Sequence, residues 1–249
     1  MYPKQEQMKE LIQKIKANTE CENIKSKYRG EILDKSLVNH FKLHELIPNK
    51  WFDWERRADA KIMIIGQDWG PYIALKKYVD DYETSKDEPD FDYDKFLFKS
   101  LSSRTEKFII KVIEDTYRDY YGDFNPQIWE EFFFTMAVLF TRPGKHFRGN
   151  HNFDEKRSYE ISYPYVSEQI TIVQPKVIVT LGGLGFKAVN DHFKLGLEKK
   201  TVTQIIKDLT TKDHIIQLDN TTIIPNFHPA SHTSPILQKQ IWSQMWKYI

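Results

Sequence analysis

The sequence predicts an α/β fold in three layers, with helices on both faces of a central, mainly parallel sheet of four strands. Two observations carry that prediction. Short continuous apolar runs, such as Lys61-Ile62-Met63-Ile64-Ile65-Gly66 and Lys176 to Leu181, read as strands buried on both faces. Between them lie longer stretches in which apolar residues recur at helical spacing. Strands therefore alternate with helices, the order that produces parallel strands joined by crossover helices. In such a sheet the groups that act on ligands sit on loops beyond the carboxyl ends of the strands.

The elements follow in chain order. Met8, Leu11, Ile12 and Ile15 recur among charged neighbours and predict an amphipathic helix over residues 4–17. It lies within a helical N-terminal extension, residues 1–50, of one domain spanning 1–249. Lys61 to Gly66 is the first strand. Residues 80–95, DDYETSKDEPDFDYDK, are acidic and poor in apolar residues and read as a surface loop or insertion. Helical periodicity returns over residues 105–120 through Phe108, Ile109, Val112 and Ile113. Phe132 to Phe140 is the second buried strand, followed by a basic, glycine-containing segment from Arg142 to Gly149. Residues 154–173 are expected to be largely helical with an interruption at Pro164, which removes a backbone donor. Lys176 to Leu181 is the third strand, and a helix is expected from about Phe186 after the glycines of Gly182-Gly183-Leu184-Gly185. Residues 201–209 look helical, Ile215–Leu218 and Thr222–Pro225 read as short strands, and Gln238–Tyr248 as a terminal helix.

Composition narrows the function. With 36 Lys+Arg against 35 Asp+Glu the formal net charge is +1, which argues against a uniformly basic nucleic-acid coat but leaves room for a local basic patch. Cys21 is the only cysteine, so an internal disulfide, a four-cysteine iron–sulfur cluster and a cysteine-based zinc site are excluded. A reducing, cytoplasmic setting fits. The charged N-terminus lacks the apolar stretch of a secretory signal, and no run of about 18 apolar residues occurs, so no membrane span is expected.

Two loops stand where the fold predicts chemistry. Gly66-Gln67-Asp68-Trp69-Gly70-Pro71 follows the first strand, and Asn226-Phe227-His228-Pro229-Ala230-Ser231-His232 follows the last. IIGQDWGP followed much later by NFHPASH resembles the paired motifs of the uracil-DNA glycosylase superfamily. The first motif there runs G-Q-D-P-Y in one branch and G-E-A-P-G or G-I-N-P-G in others; the second is H-P-S ahead of a DNA-inserting loop. VIVTLGGLGFKAV is similar to the family's strand–glycine–helix segment, and the resemblance covers residues 58–248.

The resemblance implies hydrolysis of the N-glycosidic bond of uracil or another damaged or modified base in DNA, by a monomer, with no metal or organic cofactor. Breaking that bond builds positive charge on the sugar and negative charge on the departing base, so a carboxylate and a hydrogen-bond donor on opposite sides both stabilise the transition state. Asp68 matches the acidic position, where the carboxylate orients water and favours the cationic sugar. His228 matches the histidine that donates to a carbonyl oxygen of the leaving base. Gly66, Gln67, Trp69 and Gly70 would line the base pocket, with Gln67 contributing backbone and Tyr78, or Tyr72, stacking on the base. Arg142, Lys145, His146 and Arg148 would form a positive patch, and Ser231 and Thr233 would contact phosphate.

Three positions depart from the family pattern. Gly70 stands where the uracil-restricted branch has a Tyr that blocks a 5-methyl group, so larger bases are admitted. Met136 stands where an Asn reads the base edge. A thioether cannot donate a hydrogen bond, so Thr135 or another loop residue substitutes, the preferred base differs, or catalysis is lost. His232 stands where the inserting loop often carries Leu, and it wedges less well than an apolar side chain.

Each assignment has a structural counterpart. An Asp in a strand-to-loop turn also caps helices and closes Asx turns, and a His before Pro is often structural. Gly183-Leu184-Gly185-Phe186-Lys187-Ala188 fits the dinucleotide pattern G-x-G-x-x-A, but residues 201–209 look helical where the second strand with its ribose-binding acid should follow. Neither H-E-x-x-H nor G-x-S-x-G occurs, which leaves metal-assisted and serine hydrolysis without support. A non-catalytic DNA-binding module of the same fold is the alternative, supported by Met136 and His232.

Overall fold

One five-stranded sheet organises the computed structural model, which describes residues 3–18, 54–68, 84, 88–89, 104–139, 155–209, 215–229, 231 and 233–249. Its strands are β1 (Ile62–Gly66), β2 (Phe132–Met136), β3 (Val177–Leu181), β4 (Ile216–Gln217) and β5 (Thr222–Asn226), in the spatial order β2-β1-β3-β5-β4. β2, β1, β3 and β5 run parallel, as the sequence predicts, and the fifth strand is a two-residue β4 antiparallel to β5 at the edge. Every residue of β1, β3 and β5 is buried, which is why these strands carry continuous apolar runs rather than alternation.

The described helices are α1 (Lys4–Ala17), α2 (Arg104–Tyr121), α3 (Glu155–Val173), α4 (Gly182–Phe193), α5 (Val202–Asp208) and α6 (Pro235–Ser243), with 3-10 segments at Pro126–Glu131 and Gln244–Tyr248. The sheet separates two cores. Met63, Ile65, Phe133, Ile178 and Ile223 face α1, α3 and α4, while Ile62, Ile64, Phe132, Phe134, Val179 and Ile224 face α2, α6 and the C-terminal 3-10 segment. Alternate residues of each strand therefore supply alternate cores.

α1 is part of this architecture. It buries Met8, Leu11, Ile12 and Ile15 in the first core and docks along α3 through three polar contacts: Lys4 Nζ to Val173 O at 2.7 Å, Lys14 Nζ to Glu168 Oε1 at 2.7 Å, and Asn18 Nδ2 to Tyr165 OH at 2.6 Å. At the outer edge of the sheet, the Trp54 indole N–H donates to the Phe134 carbonyl at 2.7 Å and its ring stacks on Phe133, satisfying an edge group that β1 cannot reach.

Several boundaries differ from expectation. α3 runs through Pro164 without a break. Proline removes one helical hydrogen bond and costs about 3 kcal/mol, which burial of Ile161, Val166, Ile170 and Val173 on the same helix offsets. β2 ends at Met136 because Ala137 and Val138 leave the regular ladder to pair with the loop after β1. α4 begins at Gly182, four residues before the expected start at Phe186, so the glycines are its first turn. α6 starts at Pro235, since proline is pre-shaped for a first helical turn, and its last residues tighten into the 3-10 segment. Most of the acidic segment 80–95 and all of Arg142–Gly149 lie outside the described residues.

A polar clasp joins α3 to α4. The Tyr159 hydroxyl donates to Asp191 Oδ2 at 2.7 Å, Lys187 Nζ lies 2.5 Å from the same oxygen, and that ammonium sits 4.5 Å from the centre of the Tyr159 ring. Burial alone would raise the Asp191 carboxyl, but the bonds from Lys187 and Tyr159 and the Lys187 charge hold it below its ordinary value of 3.8.

Two outcomes follow. Leu11→Ala should destabilise the protein by about 2–5 kcal/mol in urea denaturation, because α1 fills the core. Because the Asp191 pKa is lower folded than unfolded, its contribution is complete above the unfolded value and fades as pH falls through the folded one. The urea midpoint of the wild-type protein should therefore fall more steeply between pH 5 and pH 2 than that of Asp191→Asn, whose loss of about 1–3 kcal/mol is already present at pH 7.

Candidate active site

The strand order reverses between β1 and β3. In parallel sheets that bind ligands, the binding groups gather at the carboxyl edge where the order reverses. Gln67 and Asp68, both half-buried, emerge from β1 at this edge. Their loop is held from the side of β2: Ala137 N–H donates to Gly66 O at 2.9 Å and Val138 N–H to Gln67 O at 3.0 Å.

Three glycines stand at this edge. A Cβ on Gly66 would collide with Met136 Sδ, so the Met136 side chain lies across the end of β1 where a residue-66 side chain would otherwise stand. A Cβ on Gly185 would collide with Ile65 O, so α4 approaches β1 as closely as backbone allows. Gly182 has φ +80°, and the position of its absent Cβ is 3.4 Å from His228 Cβ and 3.9 Å from Gln67 Oε1. The loops after β1, β3 and β5 therefore meet at one small residue. The sequence marks Gly182 only as a strand–helix junction, and its role as the joint between two motif loops appears once the strands are paired.

His228 is half-buried and begins a short turn, with Ser231 N–H donating to His228 O at 2.8 Å and the Ser231 and Thr233 hydroxyls 2.9 Å apart. Two residues earlier, Asn226 ends β5 fully buried. Its Oδ1 accepts from Phe227 N–H at 2.8 Å, and its Nδ2 finds no acceptor among the described residues.

The fold thus gathers Gly66, Gln67, Met136 and His228, with Asp68 one residue beyond Gln67. Thr135 goes elsewhere. It is buried on the α3 side of the sheet, where its hydroxyl donates to Gln169 Oε1 at 2.7 Å, because strand alternation turns it away from Met136. Trp69, Gly70, Tyr78, Arg142, Lys145, Arg148 and His232 lie outside the described residues. Among the described residues no three His, Cys, Asp or Glu side chains converge as a metal-binding group, and no described helix is long and apolar enough to cross a membrane.

The G-x-G-x-x-A run lies entirely within α4, and Gly185 serves close packing on Ile65. A phosphate-cradling loop is not formed by those residues.

A family model described as the uracil DNA glycosylase superfamily matches residues 53–248, from just before Trp54 to the end of the C-terminal 3-10 segment. The chain belongs to the uracil DNA glycosylase superfamily. No curated protein matches it. The superfamily match includes all five strands and both motif loops and leaves α1 outside, although α1 contributes four buried side chains to the core of this superfamily member.

The overlap at the end of β1 gives a direct test. Gly66→Ala should lower the thermal midpoint, and Met136→Ala added to it should recover part of the loss, because the colliding group is the tip of a flexible side chain. A double-mutant cycle should show a coupling of about 0.5–3 kcal/mol between the two positions.

Proposed function

We propose that this protein is a DNA N-glycosylase, hydrolysing the bond between deoxyribose and uracil or another modified base and leaving an abasic site. The observation that carries the proposal is the meeting of the β1 and β5 loops at Gly182, with Gln67 and His228 both within 4 Å of one point at the carboxyl edge. Asp68 follows Gln67 on the same loop.

In the proposed reaction the C1′–N bond lengthens and the base leaves as an anion while positive charge spreads over the sugar. The Asp68 carboxylate favours that cation and orients the water whose oxygen bonds to C1′; the water proton is lost as the bond forms. His228 donates a hydrogen bond to the base carbonyl on which negative charge collects, and the departed base takes up a proton. These groups act on opposite ends of a developing charge pair, so each stabilises the transition state more than the bound substrate. Ser231, His232 and Thr233, on the loop beyond His228, hold the strand after the base is extruded.

The reading of a DNA-binding module without catalysis is favoured by one observation. Met136 covers Gly66 with a thioether where a reading amide is expected, and the Thr135 hydroxyl is engaged with Gln169.

Incubation with duplexes containing uracil, hypoxanthine, xanthine or an alkylated base, followed by alkaline cleavage, should show strand scission at the modified position. His228→Ala should reduce base release on the order of 10²–10³-fold, and Asp68→Asn should also reduce it strongly. Undiminished release by both variants would remove these roles. DNA affinity without release of any base on the panel would favour the binding module.

A further inference from the structure

α2 ends away from the candidate site. It follows the carboxyl end of β1 and delivers the chain to the start of β2, so its last residues lie at the amino edge of the sheet. There Tyr121, Tyr117, Trp246, Phe124 and Trp129 form a continuous chain of ring contacts that reaches Phe132, the first residue of β2.

At the outer end of this chain Tyr120 and Tyr121 are each 51% exposed, yet they are firmly held. The Tyr121 ring lies 4.8 Å from that of Tyr117 and 6.1 Å from that of Trp246, and its hydroxyl donates to the Trp246 carbonyl at 3.4 Å. Tyr120 meets the Tyr121 ring edge-on at 4.7 Å. The pair is a rigid aromatic surface turned to solvent, and such a surface binds with little loss of side-chain entropy.

Charge decides what fits it. Lys111, Arg118 and Lys239 lie against Asp115, Glu114 and Asp119 at 2.8, 3.3 and 2.6 Å. Asp123, two residues beyond Tyr121, is exposed and has no ion-pair partner among the described residues, so the surplus charge at this corner is negative. The carbonyl end of the α2 dipole adds to it. Negative potential and ring faces together favour a cation and repel phosphate. The fold already contains one such pairing: the Arg118 guanidinium stands 5.2 Å from the centre of the Phe124 ring while it donates to Glu114.

We propose that Tyr120, Tyr121 and Asp123 form a docking site for an arginine on an extended segment of a partner protein. The guanidinium stacks on a ring while its N–H fork reaches the carboxylate, a combination that a more strongly hydrated ammonium matches less well. The partner binds at the amino edge and leaves the loops after β1 and β5 uncovered. Nothing in this recognition depends on the reaction proposed above.

The test titrates the full chain into fluorescein-labelled proline–alanine peptides with a central pair of arginine, lysine or glutamate residues, read by anisotropy. The arginine peptide should bind best, the lysine peptide less well and the glutamate peptide not at all. Tyr120→Ala and Asp123→Asn should each weaken the arginine peptide by about twofold to fivefold, the size of one exposed cation–π or charge contact, and the double variant by about tenfold. Thermal midpoints should stay unchanged, because both side chains are exposed. Arginine-peptide binding that survives the double variant, or equal binding of the arginine and glutamate peptides, would overturn the site. So would an absence of binding by the wild type at millimolar arginine peptide. A loss of duplex-DNA affinity in Tyr120→Ala, or a change from dimer to monomer in analytical ultracentrifugation of that variant, would overturn it in favour of nucleic acid or a second copy of the chain.

Discussion

Parallel backbone pairing of β1, β3 and β5 is the interaction on which the remaining geometry depends. Ile65, Thr180 and Pro225 stand in one row across the three strands, so the strands end together and their loops emerge at one edge. Parallel strands are buried on both faces because crossover helices cover them, and burial in turn fixes the register: a slip of one residue would exchange the two cores. The candidate site therefore inherits its precision from the hydrophobic effect acting on residues that take no part in it.

Close approach is the second constraint. α4 comes this close to the end of β1 because position 185 carries no side chain, and Met136 lies over the end of β1 because position 66 carries none, while Gly182 stands between the β1 and β5 loops. Each glycine answers a different neighbour: Met136 Sδ, the His228 side chain, and the Ile65 carbonyl. The packing around the loops is thus asymmetric, with one replaceable side-chain tip against Gly66 and an immovable backbone atom against Gly185. The requirement at Gly182 is conformational rather than steric, since other residues adopt its left-handed φ at a cost.

The polar groups around the strand ends divide according to strand alternation. Thr135 and Thr180 share the face that packs on α3 and α4, whereas Met136 and Asn226 belong to the opposite face. A sequence alignment sees Thr135 and Met136 as neighbours with interchangeable prospects. The pleat sends one into a buried bond with Gln169 and lays the other over Gly66. An amide capable of hydrogen bonding does exist at this edge, in Asn226, but it arrives from β5 and has one lone pair committed to its own backbone turn.

Local pattern was sufficient for the α1 range and for the cores of β1, β3 and β5, because 3.6-residue periodicity and continuous apolar runs report burial directly. It misjudged α3 at Pro164 and the start of α4, where tertiary packing outweighs what proline and glycine do in isolation. It also gave no sign that Gly182 joins the β1 and β5 loops or that α1 completes a core beyond the family's span. By itself the sequence determined which residue types are present and which segments would be buried. Only the tertiary structure decided which distant residues meet, because register and crossover direction are set by long-range backbone pairing and side-chain volume that no short stretch of chain contains.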